Sequence, residues 1–576
     1  MMRRGSVVLS STLSATLGFV ALGVVLRVLQ YSIPRSLWFD EARNAAEILK
    51  DHWWLMLPPH SAQPTPFGFL WLERGVVALL GEGELALRLF PLLAGLGALA
   101  VAARLAHQSL RGWAAPLAVA MLALSAPAIY FSTEVKQYSS DLLVGLLIAL
   151  AFANYQSSEK ALRAVLFGLL GALAVWISYT SVFYLAVAGT MLVVRRLHRR
   201  DWRGSVLCVG MGSMWLASFA LHYRVAISHW SQTQWLTAHW SAGFPREGEG
   251  FLATVEWSAS SLVAAFNNPL GVTLGGTTVA ALAGLMFLAG VVRSGLAGAE
   301  ASGSRGTIGS ADTTAAEGRG VGDSVLGLFA GVFALTFVCA LLHVYPFDGR
   351  LLLFLLPSMA FLVAHGVCWP LAAGAASGAG LRTRILPAGA LALTAALLAG
   401  DASSAWRLAK LESLHRHGTV NLARPQGGKK GFEGVSEVVR YIARNYQPGD
   451  SVYLYYSAEP GYSYYARRLD FQVPTTTGVR AQGDYPSYAA DLDALSGLTR
   501  VWVVFSHTVI AEKDFFVRHL DGLGRRLDYY HRPRADAYLF NLAQPADQSG
   551  QSDQLDQLDQ PDESDESDES TGRSGD

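Results

Sequence analysis

The chain has 576 residues, 51% of them apolar and only 16% charged, with acidic and basic side chains balanced at a formal net charge of zero. A soluble protein carries about a quarter of its residues as charged side chains, so this composition excludes an ordinary soluble class and points to a membrane protein. The balanced charge gives no reason to expect nucleic acid as a partner. The three cysteines, Cys208, Cys339 and Cys368, sit in apolar runs with neither disulfide nor metal spacing.

In chain order, Met-Met-Arg-Arg is followed by an apolar stretch, 7–29, too long for a signal-peptide core and read as an uncleaved first span. Further apolar runs long enough to cross a membrane are read at 85–105, 113–131, 140–155, 162–178, 180–195, 204–224, 271–292, 324–344, 351–371 and 383–401, about eleven spans in all. With Arg3 and Arg4 in the cytoplasm, the inner loops collect Arg104, His107 and Arg111, then Lys160 and Arg163. They also collect the Arg195–Arg203 cluster, Arg293, Arg305 and Arg319, and finally Arg382 and Arg384. The opposite orientation exports all of them, against the positive-inside rule. Counting residues 66–81 as a span would invert every later loop. That segment carries Glu73 and Arg74 at its middle and is read as a helix lying in the outer interface.

This places 30–84, 132–139, 225–270, 345–350 and everything after Asp401 on the extracytoplasmic side, while 296–323 reads as a flexible cytoplasmic linker rich in Gly, Ser and Ala. The expected organisation is a helical membrane domain over 1–402 with a long first external loop, 30–84, then a linker, 403–430. After these come a small extracytoplasmic α/β domain, 431–543, and a disordered acidic tail, 544–576. Within the small domain, Val435–Tyr446 and Glu512–Leu523 have helical periodicity, and Asp450–Ser457 and Arg500–Ser506 read as strands.

Chemistry-bearing residues gather in three of the outer segments. The first loop opens with Trp38-Phe39-Asp40-Glu41-Ala42. Consecutive side chains point apart in a helix or a strand, so Asp40 and Glu41 are badly placed to act as facing acids; one can enter a cavity while the other holds the loop or a divalent metal ion. Helix capping with an exposed interfacial charge is the plainer alternative. The second segment, Glu134-Val135-Lys136-Gln137-Tyr138-Ser139-Ser140-Asp141, offers Lys136 as an anion contact or a lipid-headgroup anchor, with Glu134 as its ion-pair partner. Asp141 reads first as a helix cap. In the third, Tyr345-Pro346-Phe347-Asp348-Gly349-Arg350, Pro and Gly make a turn and Arg350 stands at the start of a helix, as an anion site or a headgroup anchor.

At these residues the chain resembles the GT-C superfamily of integral-membrane glycosyltransferases. The closest likeness is to family 39, with its protein O-mannosyltransferases and aminoarabinose-transferase-type enzymes. The resemblance runs through Trp38–Ala42, Gln63-Pro64-Thr65-Pro66-Phe67-Gly68-Phe69-Leu70, Glu84-Leu85-Ala86-Leu87-Arg88-Leu89-Phe90-Pro91, Ser132–Tyr138 and Pro346–Pro357, and covers about the first 370 residues. It implies a sugar donor carried on polyprenyl phosphate and a hydroxyl acceptor that is lipid, glycan or protein. It also implies Asp40 as the catalytic acidic residue with Glu41 in the accompanying position, and Lys136 and Arg350 on the donor phosphate. Trp38, Glu134, Gln137, Tyr138 and Arg88 would support them. Many relatives carry a His-Pro-Pro run where this chain has Gln63-Pro64-Thr65-Pro66, although His60 lies nearby. The expected reaction is an inverting transfer with Asp40 as general base. A lipid or sugar transporter is the rival class; it would place charges near the bilayer midplane and show internal repeats, and neither is found here.

Overall fold

A computed structural model describes residues 2–57, 64–157, 160–228, 240–246, 248–270, 276–303, 313–376 and 433–543. The expected span 383–401, the linker 403–430, the tail 544–576 and both His60 and Gln63 lie outside these. The chain divides into two compact units, Met1–Glu433 and Gly434–Asp576.

The first unit is helical. Among the described residues, seven helices are long and apolar enough to cross a membrane, and two more apolar helices, Ala114–Leu124 and Ala161–Ile177, are shorter. Ten of the eleven expected spans fall on helices. In order these begin α1 Met2–Ser32, α2 Phe39–Ile48, α3 Phe67–Leu80, α4 Glu84–Ser109, α5 Ala114–Leu124 and α6 Ala126–Phe131. Then come α7 Tyr138–Ser157, α8 Ala161–Ile177, α9 Ser181–His198 and α10 Trp202–His222. Helices over Gly250–Asn267, Gly276–Gly303, Thr313–Leu341 and Leu356–Ala376 follow among the described residues. The chain is a multi-pass membrane protein.

Three expectations need correction. The span read as continuous over 113–131 is two helices, broken where the Ser125 hydroxyl accepts from the Ala128 N–H at 3.2 Å and Pro127 starts a new first turn. The carbonyls left unpaired at the end of α5 are met by Arg27 of α1, which donates to Leu122 and Ala123 at 3.0 Å each. The polar external stretch 225–270, for which the sequence predicts no element, holds a helix, Gly250–Asn267. The linker expected over 296–323 is entered from both sides by helix, up to Gly303 and again from Thr313.

Two devices frame the site. Arg74 of α3 donates to the carbonyls of Ile48, Lys50 and Asp51, closing the C-terminal end of α2. The Gly243 carbonyl accepts from the Phe347 N–H at 2.8 Å, which ties the 241–245 segment to the turn that carries Arg350.

The second unit is a five-stranded sheet in the order β2-β1-β3-β5-β4, with β1 Ser451–Leu454, β2 Thr475–Thr477, β3 Val501–Ser506, β4 Arg525–Arg532 and β5 Ala535–Asn541. β1 pairs parallel with β2 and β3, while β5 runs antiparallel to β3 and β4. β3 is buried along its whole length and forms the middle of the sheet, as its unbroken Val-Trp-Val-Val-Phe run requires.

Candidate functional site

The site begins with the first turn of α2. Successive residues on a helix diverge by about 100°, so Asp40 and Glu41 part company. Glu41 turns inward and is 1% exposed, whereas the Asp40 side chain keeps 18% of its surface. Glu41 takes a two-pronged contact from Arg88 of α4, Nε to Oε1 at 2.9 Å and Nη2 to Oε2 at 2.7 Å. The same guanidinium donates to the carbonyls of Arg35 at 3.0 Å and Ser36 at 3.2 Å, so one side chain holds both the approach to α2 and its first turn. The Trp38 N–H reaches Glu41 Oε2 at 3.4 Å and the Val135 N–H reaches Oε1 at 3.1 Å. Burial pushes the Glu41 carboxyl up, but Arg88, Arg35 and the Val135 N–H outweigh it and hold it below the usual carboxylate range.

The loop between α6 and α7 is stapled onto α2. The Asn44 amide donates to the Val135 carbonyl at 2.7 Å and accepts from the Thr65 hydroxyl at 3.0 Å. Arg35 donates to the Thr133 carbonyl and to its hydroxyl. Within the loop, the Lys136 N–H donates to the Glu134 carbonyl at 2.7 Å, a tight turn that returns the Lys136 side chain towards α2. Its ammonium then stands 3.7 Å from Asp40 Oδ2, an ion pair longer than a hydrogen bond. Burial lowers the Lys136 ammonium from its ordinary value; Asp40 opposes the shift and Arg350 reinforces it. Glu134, buried beside Glu41, is pushed up to about 7 by burial and then by that neighbouring charge, with Arg35, Tyr130 and Arg350 pulling the other way.

Arg350 completes the group from the far end of the sequence. It is the second residue of a 3-10 turn, Gly349–Leu355, entered through Gly349 at a φ of +46°, a conformation that glycine adopts without strain. Its Nη2 lies 3.2 Å from Asp40 Oδ2, the same oxygen that faces Lys136. The rings of Trp38, Tyr138 and Trp240 surround the guanidinium, with centroids at 5.6, 6.0 and 5.3 Å. Its Nε is buried and has no hydrogen-bond partner among the described residues.

Asp40, Lys136 and Arg350, named from three separate segments, thus meet at one carboxylate oxygen. Trp38 and Tyr138 flank Arg350, Arg88 anchors Glu41, and Glu134 lies buried behind the loop. Gln137 is half-buried at the start of α7, and its Oε1 is without a partner among the described residues. The metal role considered for Glu41 does not fit, because both its oxygens are engaged by Arg88 and backbone N–H groups. No group of three or more His, Cys, Asp or Glu side chains suited to a metal occurs among the described residues. Asp141 is not a cap either. Its own N–H donates to the Gln137 carbonyl at 2.8 Å, inside the first turn of α7, and its carboxyl faces Ser178 on the turn between α8 and α9. Trp240 is not among the residues predicted from sequence, since it sits in the external segment 225–270, where no motif marks it. Arg35 and Asn44 were missed too, although polar residues flanking an acidic motif by a few positions are the signal that points to them.

Residues 64–223 match the sequence model of the family described as dolichyl-phosphate-mannose-protein mannosyltransferase. No curated protein matches by sequence. Among solved structures, ArnT from Cupriavidus metallidurans in the apo state is 14% identical with a TM-score of 0.52, over 94% of this chain and 99% of that one. The same protein bound to undecaprenyl phosphate gives 15% identity and a TM-score of 0.49, over 91% and 97% of the two chains. The archaeal oligosaccharyltransferase AglB from Archaeoglobus fulgidus, in complex with an inhibitory peptide and a dolichol-phosphate, gives 13% and 0.49, over 92% and 74%. The chain is therefore similar to the mannosyltransferase family over residues 64–223, and its fold is similar to that of ArnT from Cupriavidus metallidurans.

Proposed function

We propose that this protein is a membrane glycosyltransferase that moves a sugar from a polyprenyl-phosphate donor to an acceptor hydroxyl, at the extracytoplasmic face, with inversion. The observation that carries this reading is the sharing of one Asp40 oxygen by Lys136 at 3.7 Å and Arg350 at 3.2 Å. The family similarity over 64–223 supports a lipid-phosphate sugar as the donor class.

In this reading Asp40 holds the place of the donor phosphate until the donor arrives. A phosphate brings more negative charge and more acceptor oxygens than a carboxylate, so Lys136 and Arg350 transfer their contacts to it. Asp40 is then released beside the anomeric carbon. The acceptor oxygen attacks that carbon, its proton passes to Asp40, and the bond from carbon to phosphate oxygen breaks with its electron pair on the phosphate. The leaving group needs cations and no strong acid, and the two basic side chains supply them, with Arg350 held among the rings of Trp38, Tyr138 and Trp240. Glu41, locked to Arg88, sets the angle of α2 and hence of Asp40.

The test is transfer of radiolabel from polyprenyl-phosphate sugars by purified Asp40→Asn. A properly folded variant that has lost transfer supports the base role, and an unchanged rate removes Asp40 from the reaction.

A further inference from the structure

One helical turn beyond Tyr138 lies a second polar group that the reaction above leaves unused. Asp141 is 6% exposed, and its Oδ1 has no hydrogen-bond partner among the described residues. Ser139 Oγ and Gln137 Oε1, on the same turn, are buried atoms in the same condition. Buried polar atoms are nearly always paired in a folded protein, so three orphans on one turn need an explanation. The Ser178 hydroxyl lies against the Asp141 carboxyl, and Tyr179 and Tyr345, two half-buried tyrosines from other segments, stand close enough to interact with it electrostatically.

The surroundings are built rather than loose. Tyr345 donates to the Leu351 carbonyl at 2.9 Å and packs edge-on against Phe183 at 5.2 Å. Tyr179 leans on His222 at 5.4 Å, and His222 is itself fixed to the Val175 carbonyl through Nδ1 at 2.6 Å. A buried carboxyl group close to tyrosines held in this way is suited to hydroxyl groups, for which its oxygens are acceptors. On α7 the residue at 141 stands about 4.5 Å along the axis from that at 138, whose ring centroid lies 6.0 Å from the Arg350 guanidinium. That offset is of the order of a sugar ring.

We propose that Asp141, with Tyr179 and Tyr345, forms the subsite that reads the hydroxyl groups of the transferred sugar, while Lys136 and Arg350 take its phosphate. The inference rests on the glycosyltransferase reading and assigns that site its sugar-recognition half. It requires that Asp141 contribute to binding of the glycosylated donor and nothing to binding of the bare lipid phosphate.

The experiment compares the wild type, Asp141→Asn, Asp141→Ala and Tyr179→Phe in two assays. One is competition by polyprenyl phosphate without a sugar, and the other is transfer from polyprenyl-phosphate sugars that differ in single hydroxyl groups. The expected result is unchanged inhibition by the bare lipid phosphate, with donor KM raised at least about tenfold in the Asp141 variants. Tyr179→Phe shifts the ranking of the deoxy sugars and covers the case in which the Asp141 variants fail to fold. Equal KM and equal ranking in all variants overturn the subsite. So does a loss of lipid-phosphate binding in proportion to the loss of donor binding, which marks a merely structural carboxyl. Absence of transfer by the wild type from every donor is a distinct outcome, and it sinks the glycosyltransferase reading itself.

Discussion

Arg88 and Glu41 face each other through two hydrogen bonds of 2.9 and 2.7 Å, and neither residue is more than 2% exposed. Removing one member of such a pair leaves the other charged and buried. Arg88→Met should cost about 3–5 kcal/mol, read as a lower melting temperature in detergent. Arg88→Met with Glu41→Leu should recover part of the loss, because it leaves no lone charge. A double variant as unstable as the single one would mean that the pair does not account for the stability of this corner.

Arg350 is held by charge and by shape at once. Arg350→Lys keeps the charge but loses both the planar fork and the fit among three aromatic rings. Donor KM should rise about tenfold or more, with kcat less affected. Steady-state kinetics with an unaltered donor KM would place the phosphate elsewhere.

Glu134 supplies a pH dependence whose sign follows from its environment. Its carboxyl is raised to about 7, by burial first and by Glu41 second. The folded state thus prefers the protonated form, and the unfolded chain ionises at lower pH. The stability linked to this group is complete below the ordinary carboxylate value and is lost as pH rises towards about 7. Melting temperature should therefore fall between pH ~4.5 and pH ~7 more steeply in the wild type than in Glu134→Gln. Parallel curves would show that the Glu134 carboxyl is not raised in the folded protein.

How much of this was legible depends on how locally each feature is determined. The divergence of Asp40 and Glu41 follows from the helical step alone, and the long apolar runs mark their own helices. The break at Ser125 is written in Ser-Ala-Pro but hidden inside an unbroken apolar stretch. The helix Gly250–Asn267 is not marked by an apolar run, since it carries Glu256 and several serines and closes the polar segment 225–270. In the small unit, β3 announced itself by an apolar run. The β4–β5 hairpin did not, because Arg525–Arg532 is an edge strand and edge strands carry charge. The joining of Lys136 and Arg350 at one oxygen depends on contacts between segments more than 200 residues apart, which no local pattern encodes.

The central claim is that Asp40, released by Lys136 and Arg350 when the donor phosphate binds, accepts the acceptor proton. It is tested most directly by single-turnover transfer from a radiolabelled polyprenyl-phosphate sugar, wild type against Asp40→Asn, with donor binding measured on the same samples. The account predicts transfer slowed by a factor of about 10²–10⁴ in the variant, with donor binding retained or tightened, since the cations no longer have a carboxylate to leave. Transfer at the wild-type rate, or loss of donor binding with an intact chemical step, would contradict it.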